Sequence, residues 1–174
     1  NVGVTTASEL YASLDDDSMS SYKTVSNQDD FPLRFYTAQN AETLSIEQGL
    51  ARLQDAQQHC NDKLYIGSCK LIVDGSIQSF TARLEWPGYH NGVANGAWKQ
   101  APQTMRQMIH DYHKAGVQLH IHVNGDQAIE LVLDILEDVL SQYPRADHRH
   151  TLQHCQLASE AQYKRIAKLG LCVN

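Results

Sequence analysis

The chain has 174 residues, carries 14 Lys and Arg against 20 Asp and Glu, and has a formal net charge of -6 with a pI near 5.8. That length suffices for one good-sized hydrophobic core. The acidic balance, without any Lys/Arg cluster, argues against nucleic acid as a partner, and the lack of a long apolar run argues against a membrane-spanning helix.

Val2–Thr6 is expected to form a short strand. Ala7–Asp30 is polar, and Asp15-Asp16-Asp17 suits a cap or loop with a helix on one side. "FPLRFYTAQN" predicts a strand ending in a polar turn. "LSIEQGLARLQDAQQHC" sets Ile46, Leu50 and Leu53 at helical spacing, and "KLYIGSCKLIVDG" predicts a strand with Gly67 as a bulge. Residues 76–101 are irregular and rich in glycine and aromatic side chains. A loop this long commonly covers an active or binding site; the alternative is a packing or disordered loop.

"APQTMRQMIHDYHKAG" predicts a helix with Met105, Met108, Ile109 and Tyr112 as its core stripe and Gly116 as its stop. "VQLHIHV" predicts the next strand, "DQAIELVLDILEDVLSQY" a helix with a broad apolar face, and "RHTLQHCQL" another strand. "SEAQYKRIAKLG" predicts a helix capped by Ser159 and ended at Gly170, and "LCVN" begins a further strand. Six alternations of this kind favour an α/β fold with a parallel sheet and crossover helices.

An eight-fold (β/α) barrel needs about 250 residues. Residues 1–174 therefore fit a fragment of a single TIM-like barrel domain, roughly strands two to seven. The first and last residues fall in strand-like runs, which also suggests a piece of a longer chain. An open doubly wound sheet is the competing architecture, but no GxGxxG or P-loop supports it. A partial barrel exposes strand edges, so self-association is expected. Cys60, Cys69, Cys155 and Cys172 are widely spaced, with no CxxC. This argues for small buried thiols in a reducing compartment, hence the cytoplasm, and against a zinc finger or disulfide framework. Nothing in the sequence reads as a signal peptide.

In an α/β barrel, catalytic groups sit at the C-terminal ends of the strands. Three strands carry candidates there. In "KLIVDGS", Lys70, Ile72 and Asp74 share a face. A lysine buried as a cation is costly, unless the strand is an edge and the ammonium reaches water. In "LHIHVNGD", His120 and His122 share a face, with His122 nearer the loop. In "RHTLQHCQ", His150 and His154 share a face, with His154 nearer the strand's end. Any one such histidine is more often a hydrogen-bonded core residue than a ligand. Together, His and anionic oxygen ligands on successive strands suit a zinc-type ion. His148 is expected to be exposed, and His59, His90, His110 and His113 to lie on helix surfaces or loops.

"KLIVDGSIQSFTARL", "HIHVNGDQAI" and "DHRHTLQHCQL", in this order, resemble the amidohydrolase superfamily, and more narrowly its YtcJ-like branch, related to N-substituted formamide deformylase. The opening "GVTT" also resembles that branch. The resemblance covers essentially the whole chain. It implies a metal-dependent hydrolase acting on non-peptide C–N bonds (amide, formamide or cyclic amide) through metal-activated water. It implies Lys70 as a carboxylated lysine ligand, and His122 and His154 as the histidine ligands of one or two divalent ions, most simply zinc. His120 and His150 would support these ligands from behind. Asp74, with Arg83 and Tyr89, would shape the pocket for a small-molecule substrate. The family's HxH pair and its general-base aspartate are absent, so the segment alone is expected to be inactive. Gln153 stands where the family commonly has Glu before the histidine. The competing reading is a non-catalytic α/β binding or structural module whose histidines are core residues. Superfamily resemblance also permits an isomerase, a decarboxylase or a phosphoester hydrolase, because fold and ligands do not fix the reaction.

Overall fold

The computed structural model describes residues 3–174. Its elements are β1 (Thr6–Ala12), α1 (Asp16–Ser26), β2 (Arg34–Asn40), α2 (Ile46–Gln57), β3 (Leu64–Ile72), α3 (Pro102–Lys114), β4 (Gln118–Val123), α4 (Asp126–Gln142), β5 (Thr151–His154), α5 (Glu160–Lys168) and β6 (Cys172–Val173). They divide into two compact units, one ending at Lys70 and the other beginning at Leu71, so β3 runs through the boundary.

In the first unit, β1, β2 and β3 pair in parallel in that order. The first strand lies further along the chain than its sequence suggests: it begins at Thr6, Gly3 has a φ of 82°, and Val2 falls outside the described residues. Its polar Ser8 and Glu9 are tolerated because that strand is mostly exposed. Backbone pairing with β2, and not apolar alternation, defines it. Between β2 and β3 the register steps from Thr37–Ile66 to Ala38–Ser68, leaving Gly67 as the extra residue of a bulge. Both helices start on side-chain caps. Asp15 accepts from the Ser18 N–H, and Ser45 and Gln48 form a reciprocal capping box. Leu53 and Ala56 of α2 are buried, as are Ala38 of β2 and Leu64, Ile66 and Cys69 of β3.

In the second unit, β4, β5 and β6 are again parallel and adjacent in order. Leu119, Ile121 and Val123 are fully buried and His120 is 8% exposed, so both faces of β4 are largely covered, as is usual for parallel strands. The predicted stripe of α3 (Met105, Met108, Ile109, Tyr112) is buried, and α4 buries Ile129, Val132, Leu133, Ile135, Leu136 and Val139. Each such side chain contributes about 1.5–3 kcal/mol on burial. Ser159 and Gln162 form a second capping box at α5. Gly116 and Gly170 follow α3 and α5 with φ of 82° and 67°, where a side chain would be strained. Of the cysteines, Cys69 and Cys155 are buried as expected, whereas Cys172 is exposed on the two-residue β6.

Two histidines depart from their expected surface positions. His113 is 3% exposed and His148 4% exposed. They join fully buried His150 in a chain whose tautomers follow from its hydrogen bonds. The His150 N–H donates to His148 Nδ1 (3.0 Å), so His148 carries its proton on Nε2, 3.0 Å from the Leu169 carbonyl. The Leu119 N–H donates to His150 Nδ1 (3.0 Å), so His150 Nε2–H donates to His113 Nδ1 (2.8 Å). His113 Nε2–H then donates to the Tyr143 carbonyl (2.8 Å). Every ring nitrogen is satisfied with all three imidazoles neutral. Burial pushes the His150 proton affinity down to about 2, with the neighbouring His148, His113 and Arg145 adding to the shift.

Candidate active site

The loop after β3 carries the second unit's polar centre. Asp74 is 1% exposed. Its Oδ1 accepts from the Asn124 N–H (3.0 Å), and its Oδ2 accepts from the Gly125 N–H (2.9 Å) and the Arg83 N–H (3.0 Å). Gly125 is the N-cap of α4 and offers no side-chain cap of its own; the Asp74 carboxylate accepts its N–H and stands at the positive end of that helix. Asp74 lines a cleft while its oxygens accept from the backbone, tying the loop to the β4–α4 turn.

Arg83 and Tyr89 likewise brace the loop. Arg83 Nε donates to Gln127 Oε1 (2.9 Å) and Nη1 to the Gly96 carbonyl (2.8 Å), and the guanidinium lies 4.9 Å from the Trp98 ring centroid. Tyr89 OH donates to the Ala82 carbonyl (3.1 Å), and its ring meets Phe80 edge-on. Close approach explains two glycines. A Cβ on Gly125 would sit 1.9 Å from the Arg83 carbonyl oxygen, and one on Gly96 would sit 2.2 Å from that of Ala82. Between these contacts lies an open cleft of about 500 Å³, lined by Ile72, Asp74, Gly75, Ser76, Thr81, Ala97, Trp98, Lys99 and His122.

His122 stands at the cleft with its side chain 19% exposed. Its Nε2 is 3.0 Å from the Gly75 carbonyl and 3.2 Å from Asn124 Nδ2, which itself donates to the Gly75 carbonyl (2.8 Å). Asn124 Oδ1 is buried beside them without a hydrogen-bond partner among the described residues. His154, at the end of β5 with a φ of 77°, places its ring edge-to-face against His122, centroids 4.6 Å apart. Both rings lie at the C-terminal ends of neighbouring parallel strands, where Val123 pairs with His154. His150 is held away from this pair. Its ring bonds to Leu119 at the start of β4 and to His113 of α3, so it braces the opposite end of the strands and does not support the rim histidines. His120 is buried on β4 one pleat before His122.

Lys70 belongs to the first unit. It is 7% exposed. Burial pushes its pKa down to about 8, opposed by the charge of Glu42. Among the described residues no group of three or more His, Cys, Asp or Glu side chains is arranged to hold a metal ion. Two adjacent imidazoles fit a zinc-type ion in kind, though they are fewer than the four ligands it takes. Sequence reading passed over Asn124, Trp98 and Lys99. The first could have been suspected from its place directly after the strand that ends at Val123.

The family model that matches the chain is Amidohydro_3, described as the amidohydrolase family, and the match runs over residues 1–174. The chain belongs to the amidohydrolase family. Among relatives of this amidohydrolase segment, "Protein LONG AFTER FAR-RED 3" of Arabidopsis thaliana is 30% identical over 109 residues, covering 62% of this chain and 18% of that protein. "Putative amidohydrolase YtcJ" of Bacillus subtilis (strain 168) is 27% identical over 109 residues, covering 62% and 20%. The chain thus spans about a fifth of the length of the curated relatives it matches. A solved structure of an uncharacterized metal-dependent hydrolase from Pyrococcus horikoshii OT3 shares the fold, with a TM-score of 0.74 and 19% identity over 98% of this chain and 33% of its own. The fold class is α/β, a partial TIM-like barrel, in this amidohydrolase segment.

Proposed function

We propose that this amidohydrolase segment is the part of a metal-dependent hydrolase that supplies two histidine ligands, His122 and His154, and a lysine ligand, Lys70. The observation that carries the reading is the His122–His154 ring pair at the C-terminal rim. The contact of His122 Nε2 with the Gly75 carbonyl supports it. A ligating histidine commonly donates its other ring N–H to a carbonyl, which fixes the tautomer and leaves the opposite nitrogen basic. For His122 that leaves Nδ1 as the metal-binding atom. Zinc suits these donors, as one or two ions.

When bound, the ion supplies positive charge that activates water and polarises a carbonyl. The chain's own residues hold and orient. Asp74 fixes the turn behind His122, and Asn124 holds the Gly75 carbonyl in place. Lys70, with its pKa lowered to about 8, has enough neutral amine near neutral pH to add carbon dioxide. The amine nitrogen bonds to carbon and releases a proton, leaving an anionic carbamate. The carbamate would be offset as a buried charge only when paired with the bound ion. The reaction proposed is hydrolysis of a non-peptide C–N bond in an amide, formamide or cyclic amide, with the general base contributed outside these residues and this segment alone inactive.

The buried chain of His113, His148 and His150 favours the structural reading for those three histidines only, because every nitrogen in it is already used. Elemental mass spectrometry on the whole protein, expressed with metal supplied and purified without chelators, tests the reading. One or two zinc-like ions per chain, lost in His122→Ala and His154→Ala, is the expected result. A well-folded protein without metal overturns it. A panel of formamides, amides, esters and phosphoesters then tests the bond class, with turnover confined to C–N substrates expected.

A further inference from the structure

The charges around the cleft are unevenly used. Among the described residues, Asp74 is the one carboxylate that lines it, and three backbone N–H groups occupy its oxygens. Lys99 is the one lining cation among the described residues. It is exposed, and its ammonium forms no ion pair among the described residues. Its backbone is nevertheless fixed: the Lys99 N–H donates to the Val73 carbonyl (2.9 Å), at the residue before Asp74. The neighbouring Trp98 also lines the cleft, and its ring is steadied by the Arg83 guanidinium. Arg83 is held in turn by Gln127 and the Gly96 carbonyl, where the two limbs of the loop come too close to admit a Cβ.

The cleft therefore presents a preorganised aromatic wall, an available ammonium beside it, and His122. Ser76 and Thr81 add neutral hydroxyls, both engaged within the loop. The charges of Asp126 and Arg83 are also taken up by the loop, since Asp126 Oδ1 accepts from the Glu85 and Gln127 N–H groups. The exposed Lys99 ammonium is hydrated in the free protein, so an anion beside it gains only a modest, salt-sensitive preference. A substrate bearing an anion pairs with it by a charge-assisted hydrogen bond, and a planar or apolar portion covers Trp98. We propose that this cleft selects amides that carry an anionic group, with Lys99 as the specificity-determining residue and Trp98 as the wall for the attached planar or apolar part. The inference rests on reading the site as hydrolytic. Its selectivity is nonetheless a property of binding and can be measured without turnover.

The test uses two matched probes on the whole, metal-depleted protein: N-benzoylglycine, which carries a carboxylate, and N-benzoylglycinamide, which does not. Calorimetric titration at low salt is expected to give roughly three- to ten-fold tighter binding of the carboxylate, a preference that shrinks as salt is raised. Lys99→Gln is expected to abolish the preference with an unchanged denaturation midpoint, and Lys99→Arg to keep it. Trp98→Ala is expected to weaken both probes alike. Equal binding of the two probes, binding of neither, or a preference that survives Lys99→Gln overturns the proposal. If the preference holds while the protein takes up no metal and hydrolyses nothing, the hydrolytic reading fails and the selectivity of the cleft stands.

Discussion

The second unit uses the same side chain in two opposite ways at the two ends of its strands. At the N-terminal ends, His113, His150 and His148 form a dry chain in which each ring nitrogen has a designated partner and each imidazole a single tautomer. At the C-terminal ends, His122 and His154 meet ring to ring, with the Gly75 carbonyl, itself held by Asn124, fixing the first beside the cleft. Burial alone does not separate structural from functional histidines. Satisfaction of the ring nitrogens marks the buried three as structural, because a ring committed at both nitrogens to protein partners has none left for a ligand.

The largest expected effect breaks the buried set. His150→Ala leaves the Leu119 N–H and His113 Nδ1 without partners and opens a void, so a loss of about 3 kcal/mol in unfolding free energy is expected by denaturant titration. His122→Ala, at the rim, is expected to cost less than about 1 kcal/mol and to remove metal. Equal costs would erase the distinction between the two ends.

Next comes the loop that joins the rim to α4. Asp74→Ala strips three backbone N–H groups of their acceptor, and a loss of about 2–3 kcal/mol is expected, with faster amide exchange at Arg83, Asn124 and Gly125. Gly125→Ala is expected to be of similar size, because the Arg83 backbone must move to admit the methyl group.

The pH dependence sharpens the comparison further. Burial lowers the His150 proton affinity from 6.5 to about 2, and that of His113 is also lowered, chiefly by burial. On acidification the unfolded chain takes up these protons near pH 6.5 while the folded chain refuses them. The unfolded state therefore binds more protons, and stability falls below about pH 6.5 by up to about 1.4 kcal/mol per pH unit for His150. The stability–pH slope between pH 6 and 4 is expected to flatten in His150→Leu, provided that variant folds, and to persist in His122→Ala. An unchanged slope in both variants would show that the buried chain does not control acid stability.

The smallest expected effect lies on the surface. Arg165 of α5 bridges Glu130, Asp134 and Glu137 of α4. Arg165→Ala is expected to cost about 1 kcal/mol, less at high salt, measured by thermal unfolding at two ionic strengths.

Much of this architecture could be read directly from the residues. The alternation of strand and helix, the core stripe of α3, the Ser159 cap and the Gly67 bulge are local signals that depend on spacing and on backbone chemistry. The family resemblance rested on motifs at the ends of three strands. What escaped was set by partners distant in sequence. His148 reads as a polar residue before a strand, yet its partner is the Leu169 carbonyl, 21 residues on. His113 sits three residues past His110 in a polar-looking helix end, and its partners come from Tyr143 and His150. Asp74 lines the cleft, as its place at the end of a strand beside a loop suggests. That its oxygens also serve backbone groups 9, 50 and 51 residues away is what no periodicity reveals.

The most direct test of the central claim is metal stoichiometry of the whole protein by elemental mass spectrometry, in the wild type and in His122→Ala, His154→Ala and His113→Gln. Loss of metal in the two rim variants, with full metal in folded His113→Gln, is the result expected if the rim histidines are ligands and the buried ones are structural. Full metal in both rim variants, or a folded wild type that binds none, would contradict it.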